Sequence, residues 1–494
     1  MAGVTMGVGR RTGRWVVAAS VAMAVTVAVV GTGHSARAAS LAIAVSGNEL
    51  VNGSGTPVVL RGVDVPSTEY ACQQGWGYAS PPLSAATAAA IAAWHANAVR
   101  VPFNEDCWLG INGQPSYGTA AGYRRAIAGW VANLNAAGLY AVLDLHWSAP
   151  GTNVADGQRP MPDDHSTAFW SSVASTFAAQ PAVLFDAFNE PYSPAANGNS
   201  TLSVSWSCWL NGGCAVPVAN QDGPIDDDDT YDAVGMQAIV DTIRATGATQ
   251  PVMVGGLSYA NDLSGWLAHE PTDPEHQLVA SFHNYFGEAC DSSACWSSVI
   301  APVAARVPVV TGEFDQGYDC AHPPSSPAAL ATFDTTYMGW ADQHGVGYLA
   351  WGWWVLGNAA TNCSALADPG DRYALVSSYA GSPVAPDGTA LRAHLAALAA
   401  SPPLTVSTAS LPLGAVGVGY TAGLSARGGN PPYRWSLASG GLPRGLHLRP
   451  RGTIVGRPRA AGTVMFTVRV TDHRSKAKPH TKSSATRTLS LTVG

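Results

Sequence analysis

Two glutamates stand out by their settings. Glu190 lies in Asn189-Glu190-Pro191, just past the apolar run Val183–Phe188, and Glu313 lies in Gly312-Glu313-Phe314, just past Val309-Val310. A carboxyl group beside apolar sequence is costly to desolvate, and it persists where it has partners or a task. Partner types occur at comparable places: Arg100 in Val99-Arg100-Val101-Pro102-Phe103, His146 in Leu143-Asp144-Leu145-His146-Trp147, and the pair His283 and Tyr285 in His283-Asn284-Tyr285. A cation beside one carboxyl favours its ionised form, while burial and a second carboxylate favour the protonated form of the other. Here a nearby cation is expected to keep Glu313 ionised, and Glu190 is expected to be the group pushed up. One neutral and one ionised carboxyl across a carbon can open an acetal: the first protonates the departing oxygen and the second works at the carbon itself. Asn189 can hydrogen-bond a neighbouring hydroxyl, and Trp351 offers a flat apolar face to a sugar ring. Asp144 is expected to point away from His146 and to be structural.

Each of these residues needs an element to hold it. Eight continuous apolar, β-rich runs are predicted as strands: 58–65, 98–103, 140–146, 183–190, 251–256, 278–285, 308–314 and 348–353. Ala-rich stretches with helical spacing lie between most of them, most clearly at 85–97, 123–138, 167–179, 231–246 and 328–344. Eight such units predict an α/β fold, a (β/α)₈ TIM barrel. The polar residues then fall at or near strand C-terminal ends, where barrel enzymes place their chemistry. Glu190 and Glu313, on strands four and seven, would face each other across the barrel. An open dinucleotide-binding sheet is disfavoured because no glycine-rich loop follows the first strand. A Ser-His-Asp hydrolase is disfavoured because no G-x-S-x-G elbow is present.

Any one of these residues alone has an ordinary structural explanation. Their order (Arg, His, Asn-Glu-Pro, His-x-Tyr, Glu, Trp) is far more specific. It resembles glycoside hydrolase family five, the cellulase-type enzymes, over roughly residues 55–360. The resemblance implies Glu190 as acid/base and Glu313 as nucleophile of a retaining hydrolase. It further implies that Arg100 and Tyr285 hold Glu313, that His146 and Asn189 bind the sugar with His283 nearby, and that Trp351 is a sugar platform. The substrate it implies is a β-linked polysaccharide, with an endo-β-1,4-glucanase expected first and a β-mannanase or exo-acting β-glycosidase as alternatives. A non-catalytic carbohydrate-binding or cell-surface protein is the rival of another class. No cofactor, metal or nucleic-acid partner is expected, and a monomer is expected. The segment Glu69-Tyr70-Ala71-Cys72-Gln73-Gln74-Gly75-Trp76 lies outside the general family pattern. Trp76, Trp108, Trp147, Trp206 and Trp209 fall in loop-like positions suited to sugar stacking.

The ends of the chain differ from its middle. Arg10, Arg11 and Arg14 precede an apolar run, 16–30, and Ala36-Arg37-Ala38 reads as a small-residue cleavage site, so residues 1–38 are expected to be a signal peptide and the protein secreted, extracellular. The apolar run is shorter than the ~20 residues of a membrane span. Eight cysteines, all between Cys72 and Cys363, suit disulfides in an oxidising compartment, with Cys72/Cys107, Cys208/Cys214, Cys290/Cys295 and Cys320/Cys363 the expected pairs. Residues 39–402 form the expected catalytic domain. From Pro403 the pattern turns to short alternating runs separated by Gly/Pro turns, an all-β sandwich over 403–494. Its order of motifs, from Pro432-Tyr433-Arg434-Trp435 through Gly452-Thr453-Ile454-Val455-Gly456 to Val468-Arg469-Val470-Thr471-Asp472, resembles bacterial Ig-like (cadherin-like) modules. This region holds thirteen Lys and Arg against one acid, Asp472, within a chain of net charge −7. Such a basic domain could touch a cell-wall or other anionic polymer. The acidic run Asp226–Asp229 is expected to start a solvated helix.

Overall fold

The computed structural model describes residues 41–197, 200–316, 327–355, 373–400, 403–429, 433–472 and 483–494. Residues 1–38, expected to be a signal peptide, and Cys320 and Cys363 lie outside the described residues.

Eight strands close into a barrel: β1 (Arg61–Asp64), β2 (Ala98–Asn104), β3 (Tyr140–Trp147), β4 (Val183–Asp186), β5 (Val252–Gly255), β6 (Leu278–Tyr285), β7 (Val309–Asp315) and β8 (Gly347–Ala350). Every neighbouring pair is parallel. All eight predicted strands are present. β4 stops at Asp186, so Glu190 sits just beyond it, and β8 stops at Ala350, which leaves Trp351 in the loop that follows.

The interior is layered. Side chains alternate along a strand, so every second residue faces the barrel axis. Leu60, Ala98, Val142, Leu184, Met253, Val279, Val310 and Leu349 form an apolar floor. The strands Ile43–Ser46 and Glu49–Asn52 close it from below through Ile43 and Leu50. Above it, two residues up from Ala98, Val142 and Leu184 and four up from Leu60, lies a polar layer of Asp64, Arg100, Asp144 and Asp186, all wholly buried. The outward-facing residues, such as Val99, Val101, Leu143 and Leu145, pack against the helical ring.

This alternation corrects the expectation for Asp144. Residues two apart in a strand share a face, so Asp144 points into the barrel with His146. Its Oδ2 lies 2.7 Å from Nδ1 of His146 and 3.0 Å from Arg100 Nη2.

Among the helices, Ala85–Ala92, Ala120–Ala136, Ser166–Phe177 and Pro327–His344 fall where predicted, the first ending earlier than expected. The stretch 231–246 divides. Thr230–Val234 is a strand paired with Gly212–Pro217, and only Met236–Ala245 is helical. The tetra-acid run therefore leads through a turn into a strand, and Asp227 accepts hydrogen bonds from Ser200 and Thr201. Three of the four expected disulfides are formed: Cys72–Cys107, Cys208–Cys214 and Cys290–Cys295. Among the described residues, no helix is long and apolar enough to cross a membrane.

After the helix Asp387–Ala399 the regular elements among the described residues are all strands. One sheet joins Arg434–Gly440, Gly462–Thr471 and Ser484–Val493, and another joins Tyr420–Gly423, Thr453–Gly456 and Leu446–Leu448. Trp435, Ile454, Phe466, Val468, Val470, Leu489 and Leu491 make a core of their own.

Candidate active site

Arg100 organises the site. It points up the barrel axis from β2 and is wholly buried. Its Nη1 donates to Glu313 Oε1 at 2.7 Å and its Nε to Asp186 Oδ2 at 2.9 Å. Asp64 and Asp144 lie at 3.3 and 3.0 Å. A rigid guanidinium fork suits several carboxylates at once. Burial still wins at Asp64, Asp144 and Asp186, whose pKa values all stand above the ordinary carboxylate range despite the pull of Arg100. One cation does not compensate four buried carboxyls, so part of this layer carries protons at neutral pH.

Glu313 ends the inward-facing row of β7 and is 4% exposed. Arg100 holds one oxygen, and Tyr285 Oη donates to the other at 2.7 Å. The register between β6 and β7 shifts at His283, and that between β7 and β8 shifts between Thr311 and Phe314. Such irregularities re-aim side chains near active sites.

Glu190 has a different environment. Nδ1 of His283 lies 2.8 Å from its Oε1, and Gln158 Nε2 donates to its backbone oxygen at 2.8 Å and to Oε2 at 3.3 Å. Burial pushes its pKa up to about 7, against the opposing effects of His146, Arg100 and Gln158. Loss of water is the largest cause of the rise. Burial also pushes His283 down to about 3 and His146 down to about 4, so both imidazoles are neutral at pH 7.

Asn189 is fixed by its neighbours. Arg100 Nη2 donates to Oδ1 at 2.7 Å, which turns Nδ2 towards Gln158 Oε1 and towards His146 Nε2, 3.5 Å away. With Nδ1 of His146 against Asp144, Nε2 is left as the acceptor facing the site. Trp351 stacks on His146 at 5.4 Å with the planes 9° apart. One oxygen each of Glu190 and Glu313 and a ring nitrogen of His283 lie within 4.8 Å of one another.

The structure therefore gathers Arg100, His146, Asn189, Glu190, His283, Tyr285, Glu313 and Trp351 around one point. His283, expected among the partners of the glutamates, is the hydrogen-bond partner of Glu190. Gln158, Asp64, Asp144 and Asp186 were missed. For the three aspartates the signal was available in the alternation of the strands. Gln158 comes from a long loop with no periodicity to mark it.

The aromatic expectations divide. Trp76 is 47% exposed, and Trp76, Trp147, Trp351 and Trp354 line a cleft of about 570 Å³. Trp108 and Trp209 are wholly buried. Trp108 packs among Phe103, Tyr123, Phe169 and Phe177, and Trp209 donates to the Gly255 carbonyl at 2.9 Å. These two are core residues, because the helices that carry them fold back onto the barrel wall.

The family model described as cellulase (glycosyl hydrolase family 5) matches residues 51–357. The chain belongs to glycosyl hydrolase family 5. It is accordingly a glycoside hydrolase. An Ig-domain family, He_PIG, matches residues 399–494. A mannan endo-1,4-beta-mannosidase of Streptomyces lividans is 26% identical over 325 residues, covering 64% of this chain and 67% of that protein. A mannan endo-1,4-beta-mannosidase of Cellvibrio japonicus (strain Ueda107) is 24% identical over 338 residues, covering 67% of this chain and 63% of that protein. The chain thus spans about two thirds of the length of these relatives. In fold, this family 5 chain is similar to the beta-glucanase SdGluc5_26A of Saccharophagus degradans, solved in complex with cellotetraose. The TM-score is 0.52 and the identity 18%, over 72% of this chain and 93% of that one.

Proposed function

We propose that this family 5 enzyme hydrolyses a β-1,4-linked polysaccharide with retention, with Glu313 as nucleophile and Glu190 as acid/base. The observation that carries the reading is the approach of the two carboxyls, with oxygens within 4.8 Å and differently solvated. Retaining enzymes hold their carboxyls roughly 5–5.5 Å apart, whereas inverting ones need about 6.5–9.5 Å to seat a water.

Glu313, held on both oxygens by Arg100 and Tyr285, attacks the anomeric carbon. Glu190, raised to about 7 by burial, gives its proton to the departing oxygen. The anomeric carbon–oxygen bond breaks as the bond to Glu313 forms. Glu190, now a carboxylate, takes a proton from water, which displaces Glu313 and regenerates both groups. Neutral His283 keeps Glu190 oriented through both steps. Asn189 Nδ2 and His146 Nε2 offer a donor and an acceptor to sugar hydroxyls, and Trp351 supports the ring.

A β-1,4-glucan is the first substrate reading. The similarity to two mannan endo-1,4-beta-mannosidases favours β-1,4-mannan as the second. The enzyme is read as secreted, with residues 1–38 removed, and the three disulfides among the described residues suit that location. It is read as monomeric, with the basic C-terminal domain able to touch anionic polymer.

The test is purified 39–494 on soluble β-glucans, β-mannans and aryl β-glycosides, beside Glu313→Ala. Cleavage of one polymer with retained anomeric configuration, lost in the variant, is the expected result. Inverted product, or activity surviving in Glu313→Ala, would overturn the assignment.

A further inference from the structure

Glu69 has an environment that the mechanism above does not use. It lies in the loop after β1, in the segment foreign to the general family pattern. It is 2% exposed, yet it lines the same cleft as His146, Trp147 and Trp351. Its Oε2 is buried and has no hydrogen-bond partner. A buried carboxyl oxygen without a partner is a costly feature, and it calls for a group that satisfies it.

The segment around it is built to stay in place. Asn104 Nδ2 donates to the Glu69 carbonyl at 2.7 Å, and Tyr123 Oη donates to the Thr68 carbonyl at 2.9 Å. Thr68 Oγ1 donates to the Pro102 carbonyl. Ser67 adopts a left-handed φ of 92°, a conformation that non-glycine residues hold only where their surroundings impose it. The disulfide Cys72–Cys107 ties the segment to the short helix after β2. Aromatic rings continue outward beside it: Tyr70 lies 5.9 Å from Trp147 and 5.8 Å from the exposed Trp76. The cleft lining takes in His146 and Trp351 but neither Glu190 nor Glu313, so it runs outward from the sugar position assigned to His146 and Trp351.

We propose that Glu69 hydrogen-bonds a hydroxyl of the second sugar on the glycone side, one residue beyond the sugar held by His146, Asn189 and Trp351. The aromatic faces of Trp147 and Trp76 carry that sugar and the next, and Glu69 sets their orientation. Glu69 is then a specificity-determining residue: it selects chains over single sugars, and it touches no reacting atom. Burial holds its pKa above the ordinary glutamate range, against the pull of the backbone N–H groups of Glu69 and Ser67. This inference rests on the glycosidase reading above.

The test uses the full chain and a series of 4-nitrophenyl β-glycosides carrying one to four β-1,4-linked sugars of the type the wild type prefers. In the wild type, kcat/KM rises by tenfold or more between one and two sugars. In Glu69→Ala that rise is lost, while the one-sugar substrate keeps its kcat/KM within twofold. Glu69→Gln, which preserves shape, falls between the two. The proposal is overturned if the rise survives in Glu69→Ala, or if one-sugar and two-sugar substrates fall by the same factor in both variants. A wild type that cleaves none of the series and none of the polymers removes the glycosidase reading itself, and this proposal with it. Glu313→Ala as the inactive control separates that case from failure of Glu69 alone.

Discussion

At the scale of single residues, the two glutamates are told apart by their donors. Glu313 sits against a permanent cation and a phenol, Glu190 against a neutral imidazole and an amide. The pH dependence follows. Glu190 must be protonated to act first, and burial places its pKa at about 7. Activity therefore falls as pH rises through about 7, because the acid form is lost. A kcat/KM profile on a soluble substrate should show this alkaline limb. Glu190→Gln cannot donate a proton, and on a substrate with an ordinary sugar leaving group it should lower kcat by about 10²-fold or more. On an activated aryl glycoside, whose leaving group needs little protonation, its first step should suffer far less. An alkaline limb unchanged in Glu190→Gln would assign the titration to another group.

At the scale of elements, β7 and β6 act together. Gly312 precedes Glu313, and a Cβ there would lie 2.6 Å from His283 Nε2 and 3.2 Å from Ser281 Oγ. His283 is a buried ring that holds Glu190, so it has little room to give. Gly312→Ala should therefore lower kcat by about tenfold or more, at a stability cost of about 1–3 kcal/mol. Thermal melts beside kinetics check it; full activity would show that the ring can move freely. Trp108 makes the opposite prediction. It is packed on Phe103 between helix and barrel, and Trp108→Ala should cost about 3–5 kcal/mol of stability. The KM of the protein that still folds should be unchanged, which distinguishes a core residue from a sugar-stacking one.

At the scale of the whole molecule, two separate cores argue for two units of function. The barrel core and the β-sandwich core share no residue. Ending the chain at residue 402 should leave kcat/KM on a soluble substrate within about twofold. If the basic sandwich holds an anionic polymer, retention on such a polymer should be lost in the same truncation and weakened by salt in the full chain. Loss of folding on truncation would show instead that the sandwich supports the barrel.

The barrel, its eight strands and the glutamates were legible in the sequence for one physical reason. A parallel strand covered on both faces must be continuously apolar, so a charged residue at its end is conspicuous. Local disulfides were legible because Cys208/Cys214 and Cys290/Cys295 are close along the chain. Less was legible where a long-range contact decides. The strand Thr230–Val234 has the spacing of a helix start, and only its pairing with Gly212–Pro217 makes it extended. Trp108 and Trp209 look like loop aromatics until short helices turn them onto the wall. The pKa of Glu190, the tautomer of His146 and the inward set of Asp64, Asp144 and Asp186 depend on what surrounds them in space. By itself the sequence determined which side chains could do chemistry, because residue type and local apolar context are properties of the chain. The tertiary structure decided which of them share hydrogen bonds and how far each is removed from water, because desolvation and hydrogen-bond geometry exist only between elements that have met.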